Sequence, residues 1–465
     1  MEENKKMNDL NNQRTLSFKE IFLYGFGGMF AYGFQLVLTG YFLNYFMTDV
    51  LMIPTALAAT LNLIVQFTKV FSMAIAGAVI DSTNPKAGRY RVWFLLCGIA
   101  MGITLPLTFT NFGIEPGKAG ILFIVFYVIM MFSYNFGWTA LRALAGKLGK
   151  TGNDATILGS AANVAGTIPS VLYMLFGAAF LALPTPFLKG VNNPYLNFGL
   201  LSGLMILLGG FIIYRLASRV EGPNAEAVVE AKAAAPKQEK IGLLTMIKNL
   251  KGPGLVYLLA LIVDSVQSGT FSVLLPYYCN YVLKNPGITL ATIGVNAGLA
   301  CIGSFFVPVI AKKFGKKPCF IAYHFVMAAL YVVLAMVGNN GTGFVVVRGI
   351  QTMVSCFGIC FMPAFMSDVA DYNEMKGVQG ARGFLQSMAG TGTRLGSSLA
   401  AVVASFALSI IGYVAGGEVT PAITKGFTTL LIVVPGIAAA LSGLLMFFYK
   451  IDEKELNEYR VSRNQ

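Results

Sequence analysis

The stretch Asn62–Arg91, NLIVQFTKVFSMAIAGAVIDSTNPKAGRYR, decides how the rest of the chain is read. It starts as an apolar helix with a polar stripe at Asn62, Gln66 and Lys69, spaced by four and then three residues, which puts all three on one helical face. It ends in a short basic loop. Lys69 stands more than two turns before the next charge, Asp81, inside an otherwise oily run. An ionisable group at such depth in a bilayer is costly unless it faces a partner or a wet cavity, so Lys69 is a functional candidate.

Composition extends that reading to the whole chain. Of 465 residues, 56% are hydrophobic and 12% charged, with a mean hydropathy of +0.68. A soluble domain carries roughly 25% charged residues, so an integral membrane protein is expected. The net charge of +13 does not imply nucleic acid, because the basic residues follow membrane orientation. The six cysteines are scattered and mostly inside apolar runs, which indicates neither a disulfide framework nor a metal site; Cys356 and Cys360 share a helix face and read as packing. No cofactor is called for. The N-terminus is polar and lacks the apolar core of a cleaved signal peptide.

Twelve spans of about the 20 residues that cross a bilayer are expected. They lie at 21–46, 55–80, 92–112, 119–145, 155–182, 196–216, 254–282, 288–311, 318–338, 343–366, 380–413 and 426–449. The fold class is therefore all-α, twelve membrane helices in two six-helix halves, residues 21–216 and 254–449. Polar tails fill 1–20 and 450–465, and a solvated alanine-rich linker fills 217–253. With both termini inside, the inner segments hold 26 of the 34 basic residues, while the outer loops hold four, Lys118, Lys189, Lys284 and Lys425. That asymmetry predicts cytoplasmic termini in a multi-pass protein of the cell membrane. The charges left in the spans are Lys69, Arg142, Arg348 and Arg394, and of the acids only Asp264.

After the second span the chain reads Gly77-Ala-Val-Ile-Asp81-Ser-Thr-Asn-Pro-Lys86-Ala-Gly88-Arg89, which resembles the G-x-x-x-D-x-x-x-x-[RK]-x-G-[RK] loop motif of the major facilitator superfamily at every specified position. A weaker echo, Ala311-Lys-Lys-Phe-Gly-Lys-Lys317, falls at the matching place in the second half. A repeat-built transporter predicts such pairing. A narrower resemblance is to the glycoside–pentoside–hexuronide:cation symporter family, of the melibiose permease type. It is carried by YGFGG (Tyr24–Gly28), NYFMTDV (Asn44–Val50), GRYRVW (Gly88–Trp93) and DVADYNEMKGVQGARGFLQSMAGTGTR (368–394).

The resemblance implies a secondary transporter working by alternating access, and the departures from it shape the expected site. Where sodium-coupled members carry two helix-2 carboxylates, this chain aligns Lys69 and Met73, neither of which ligates sodium. The helix-4 carboxylate aligns near Asn135, and the helix-1 acid falls around Tyr32 to Phe34. The helix-11 lysine aligns with Arg394, and the helix-5 arginine falls near Ala162. Sodium-independent transport is thus expected, as uniport, exchange or proton coupling. Asp264 and Lys69 are the coupling candidates, and Asp264 reads equally as a structural counter-ion of Arg394 or Lys69. Arg348 is expected to reach the outer surface.

The substrate side is expected from Tyr32, Gln35, Lys69, Tyr134, Asn135, Trp138, Asp264, Gln267 and Arg394, since aromatic faces with polar groups suit a sugar or glycoside. Interior cations outnumber acids, which leans toward an anion such as a glucuronide or another, non-sugar and aromatic, organic acid. Asp81, Arg89, Asp368, Asp371, Glu374 and Arg382, with Arg142, are expected to gate the inner end through ion pairs made in one state and broken in the other. The expected partners are a small-molecule substrate, the lipid bilayer and, in the coupled case, protons, with the monomer as the working unit. A transporter-like sensor has no sizeable soluble domain to signal with. An enzyme is not expected, because the one histidine, His324, has no nucleophile or metal cluster around it in the sequence.

Overall fold

The computed structural model describes residues 16–83, 88, 90–148, 152–184, 193–221, 252–337, 339–376, 382–451, 455–456 and 458. Each expected span is a helix: α1 Phe18–Val50, α2 Thr55–Ser82, α3 Arg91–Thr108, α4 Pro116–Leu148, α5 Gly152–Ala182, α6 Pro194–Ala217, α7 Pro253–Val282, α8 Gly287–Phe314, α9 Lys316–Val337, α10 Gly341–Met375, α11 Arg382–Ile410 and α12 Pro421–Phe447. All twelve contain a stretch long and apolar enough to cross a membrane. Local chemistry sets many of the ends. Proline opens α4, α6, α7 and α12, where a missing N–H costs nothing. Asn340 and Thr420 cap α10 and α12 with side-chain oxygens. Ser17 and Glu20 form a reciprocal capping box on α1.

Several helices outrun their expected limits, α1 and α10 among them. α1 continues to Val50, beyond residue 46, and so takes Asp49 into the helix. α10 continues to Met375, beyond residue 366, and so carries Asp368, Asp371 and Glu374 as helical residues. Widened π-type turns interrupt α1 at Gly25–Phe30, Leu38–Phe42 and Phe46–Val50, α7 at Tyr278–Val282 and α12 at Thr429–Val433. Pro276 and Pro435 each remove a backbone donor beside the turns in α7 and α12.

The chain forms two compact units, Met1–Thr39 with Phe67–Ala234, and Gly40–Gln66 with Ala235–Gln465. The sequence divides at the linker, most of which, 222–251, lies outside the described residues. The second unit thus also takes in the later part of α1 and the early part of α2.

In a bilayer, apolar burial gives helices little reason to associate, so close packing over small residues does this work. In the first unit a Cβ on Gly203 would lie 2.5 Å from the Gly102 carbonyl oxygen, and one on Gly209 would lie 2.4 Å from that of Gly27. These contacts bring α6 against α3 and α1. In the second unit a Cβ on Gly269 would lie 2.3 Å from the Ser397 carbonyl oxygen, which sets the approach of α7 to α11.

The loop motif has a structural reason in this fold. Gly88 has φ +114°, a conformation that side chains disfavour, and a Cβ there would lie 2.8 Å from Glu221 Oε2. The same oxygen accepts hydrogen bonds from the backbone N–H groups of Tyr90 (2.9 Å) and Arg91 (2.8 Å), at the start of α3.

Candidate functional site

In the first unit, α4 places Tyr134, Trp138 and Arg142 at intervals of four residues on one face. The Tyr134 and Trp138 rings stack at 5.8 Å, and Arg142 lies 5.0 Å over the Trp138 ring. Tyr32 of α1 meets both rings edge-on, at 5.5 Å from Tyr134 and 6.5 Å from Trp138. Its hydroxyl fits because residue 137 is glycine: a Cβ there would lie 2.0 Å from the oxygen. Asn135 is buried and donates to Ser72 Oγ (2.5 Å) and to the Lys69 carbonyl oxygen (3.4 Å), tying α4 to α2. Five of the expected substrate residues, Tyr32, Lys69, Tyr134, Asn135 and Trp138, therefore gather on α1, α2 and α4.

Lys69 is half-buried and forms no ion pair among the described residues. Gln35, buried on α1, donates to Thr39 (3.0 Å) and leaves its side-chain Oε1 without a partner among the described residues. An apolar recess of about 230 Å³, lined by Phe30, Phe34, Tyr173 and Phe176 among others, offers polar solutes nothing to bond and is not the site.

The polar stripe of α2 divides by role. In the second unit Asn62 donates to Ser405 Oγ (2.6 Å) and the Ala401 carbonyl oxygen (3.2 Å) of α11, and Gln66 donates to Asn62 Oδ1 (3.0 Å). Asn62 holds α2 to α11, and Gln66 braces its amide from the same helix. Asn44 of α1 also donates to Ser405 (3.0 Å).

The second unit's centre is Asp264. Its Oδ1 accepts from Gln267 Nε2 (2.6 Å), and its Oδ2 accepts from the Tyr323 hydroxyl (2.8 Å). His324 Nδ1 lies 3.4 Å from Oδ1, and its Nε2 lies 3.2 Å from Ser442 Oγ on α12. The structure brings Asp264 and Gln267 together, as expected, and adds His324 and Tyr323, which sequence reasoning missed. Among the described residues Asp264 meets no arginine or lysine at ion-pair distance, so it is not the counter-ion of Arg394 here. Arg394 is exposed on α11, two residues from Gly392 and Gly396, which pack on α7.

Arg348 overturns its expectation. Its guanidinium does not reach a surface but is 8% exposed, 3.8 Å over the Phe271 ring, donating to Gln351 Oε1 (2.5 Å) and the Tyr331 hydroxyl (3.4 Å). Among the described residues it has no carboxylate partner, and Arg348 Nε and Gln351 Nε2 are both buried without an acceptor. It sits two turns into α10 behind rings from α7 and α9, which a count of residues from the span's end does not reveal.

Asp49, which the sequence reading placed outside a span, is a further acid inside a helix. It accepts from Thr48 (2.5 Å), from the Tyr413 hydroxyl (2.5 Å) and from the Tyr281 hydroxyl. The bonds join the end of α1 to α7 and to the segment after α11. Of the gating candidates, Asp368 pairs with Lys316, and Asp371 is buried. Glu374 is half-buried on α10. The side chains of Asp81 and Arg382, and all of Arg89, lie outside the described residues.

The family profile for MFS/sugar transport protein matches residues 23–453. The chain belongs to that family. It is therefore a multi-pass membrane transporter and not an enzyme. Among relatives of this MFS sugar-type transporter, the uncharacterized symporter YjmB of Bacillus subtilis is 25% identical over 97% of this chain and 96% of its own length. A putative 2,3-dihydroxypropane-1-sulfonate exporter of Escherichia coli is 26% identical over 94% of each. The crystal structure of a D-xylose-proton symporter superposes with a TM-score of 0.68 over 94% of this chain and 98% of that one, at 14% identity, which shows the shared fold.

Proposed function

We propose that this MFS sugar-type transporter carries a sugar, glycoside or hexuronide by alternating access and without sodium, as a monomer with both termini in the cytoplasm. The observation that carries the reading is the Tyr32–Tyr134–Trp138 cluster beside Asn135, which pairs flat aromatic faces with an amide. Sugar rings present C–H faces and hydroxyls to such a surface. Sodium independence rests on Lys69, Met73 and Asn135, which supply no carboxylate where sodium-coupled members have one. Ion pairs among Asp81, Arg89, Arg142, Asp368, Asp371, Glu374 and Arg382 serve as the cytoplasmic gate.

A second reading, transport of an organic anion, is favoured by Arg348. A guanidinium held in the interior against neutral partners suits a carboxylate or sulfonate, and Lys69 adds charge of the same sign. The sulfonate named for the Escherichia coli relative agrees with it. A thermal-shift screen of the purified protein against neutral glycosides, glucuronides, sulfonates and aromatic acids, with and without sodium, separates the two. A ligand that binds the folded state raises the apparent melting temperature by mass action. Stabilisation by neutral glycosides is expected under the first reading and stabilisation confined to anions under the second. Stabilisation that requires sodium would overturn the sodium-independent mechanism.

A further inference from the structure

The hydrogen bonds around His324 can be counted atom by atom. Ser442 Oγ donates its single proton to the Ala260 carbonyl oxygen at 2.8 Å. A hydroxyl that has spent its proton can only accept, so the contact between His324 Nε2 and Ser442 Oγ requires the proton on Nε2. In the neutral ring Nδ1 then carries a lone pair, and among the described residues it is buried without a hydrogen-bond partner. Asp264 Oδ1 lies 3.4 Å from that nitrogen. Two acceptors at this distance repel unless a proton stands between them.

We propose that Asp264 and His324 share one exchangeable proton between Oδ1 and Nδ1, and that this pair is the proton-binding site of the transporter. With the proton in place the carboxyl group donates to the ring and the pair is neutral. When the proton leaves to water, a carboxylate faces a lone pair, and the pair carries one negative charge. Among the described residues no lysine or arginine lies at ion-pair distance to compensate it. The groups close enough to feel that charge are the phenols Tyr257 on its own helix and Tyr323 and Tyr331 on α9. From α10 a glycine, Gly358, approaches the carboxylate, α11 offers Ser265 the bare backbone of Gly396, and α12 presents Ser442.

The surroundings suit a site that must be reached and must respond. Asp264 is 22% exposed at its side chain while His324 is 0% exposed, so the carboxyl is the side through which the proton enters. The regular helix of α7 stops at Asp264 and resumes at Val266, with Ser265 between them donating to the Ile262 carbonyl oxygen (2.6 Å). Hydroxyl back-bonding of this kind bends helices. A change of charge at Asp264 thus acts on a residue already at a break, which gives proton release a route to helix movement.

His324 is the only histidine in the chain, so selective ¹⁵N-histidine labelling of the full-length protein in nanodiscs gives one imidazole to observe. The expected spectrum has a protonated Nε2 and an Nδ1 whose chemical shift moves in a single step with pH. Asp264→Asn removes that step, and Tyr323→Phe, which keeps the carboxyl, shifts its midpoint by removing a bond to the carboxylate. A proton resident on Nδ1, or a pH step unchanged in both variants, would overturn the shared proton.

The role in coupling rests on the transporter reading and is tested separately, with methyl β-D-glucuronide uptake into proteoliposomes. In the wild type, uptake is faster under an inward proton gradient than without one, and in Asp264→Asn the ratio falls to unity. A ratio that persists in the variant would overturn the coupling role. Wild-type uptake absent under both conditions would remove the sugar reading, while the imidazole spectrum still decides the proton site.

Discussion

Lys69 and Asp264 are interior charges of opposite sign, and the two units treat them in opposite ways. On α2 Lys69 keeps its ammonium out of any ion pair among the described residues, while its backbone carbonyl is bound by Asn135 and aromatic side chains gather on α1 and α4. On α7 Asp264 is wrapped by Gln267, Tyr323 and His324, with no lysine or arginine at ion-pair distance among the described residues. A charge without a fixed counter-ion is free to meet a ligand, whereas an acid held by neutral donors and a neutral imidazole is suited to gaining and losing a proton. On the reading proposed above, the difference assigns recognition to the first unit and proton handling to the second. Arg348 complicates that division, because it places a second unpaired cation in the same unit as the acid.

The sharpest way to break the comparison is Arg348→Ala. It removes a ring contact and two hydrogen bonds made by a buried charge, together about 3 kcal/mol, and a marked fall in the apparent melting temperature is expected. Arg394→Ala, on an exposed position of α11, is expected to cost far less. Equal losses would put the two arginines in equivalent surroundings and remove the special standing of Arg348. Next in size, Trp138→Ala is expected to weaken substrate binding about tenfold, from a loss of roughly 1.5 kcal/mol of ring contact, as measured by titration of the ligand found in the thermal-shift screen. An unchanged affinity would remove the aromatic cluster from the site.

Lys69→Met sharpens the contrast between the charges. It deletes a cation that holds no ion pair, so the melting temperature is expected to stay level or rise. Binding of anions is expected to fall while binding of neutral glycosides persists. Equal loss of both would make Lys69 structural. The smallest effect is Glu221→Gln, which weakens a charge-assisted cap on two N–H groups of α3 by about 1 kcal/mol. A melting temperature indistinguishable from wild type would show that the loop motif does not depend on this carboxylate.

Much of the fold was legible because a bilayer imposes a length of about 20 apolar residues on every helix, and the chain obeys it twelve times. Helix ends beyond the apolar run were harder to read. Asp49 was counted as loop and Asp368, Asp371 and Glu374 as surface, because a helix that continues past its oily stretch changes composition without changing backbone. Lys69, Asn135, Tyr32, Tyr134 and Trp138 were readable as candidates from their polarity within apolar spans. The opposing roles of Asn62 and Lys69 on one stripe were not, because they depend on whether α11 stands in reach.

The sequence by itself determined that the protein spans a membrane twelve times, that it resembles the glycoside-type facilitators, and that carboxylates are missing where a sodium site would need them. These follow from the kind and order of residues along the chain. Only the tertiary structure decided what those residues touch. It set His324 against Asp264 across sixty positions of sequence, buried Arg348 beneath Phe271, and gave Gly88 its reason in Glu221. The physical reason is the range of the forces. Hydropathy acts on each residue independently, so it survives in a linear string. Hydrogen bonds and charge contacts act over about 3 Å between atoms that helix packing alone brings together.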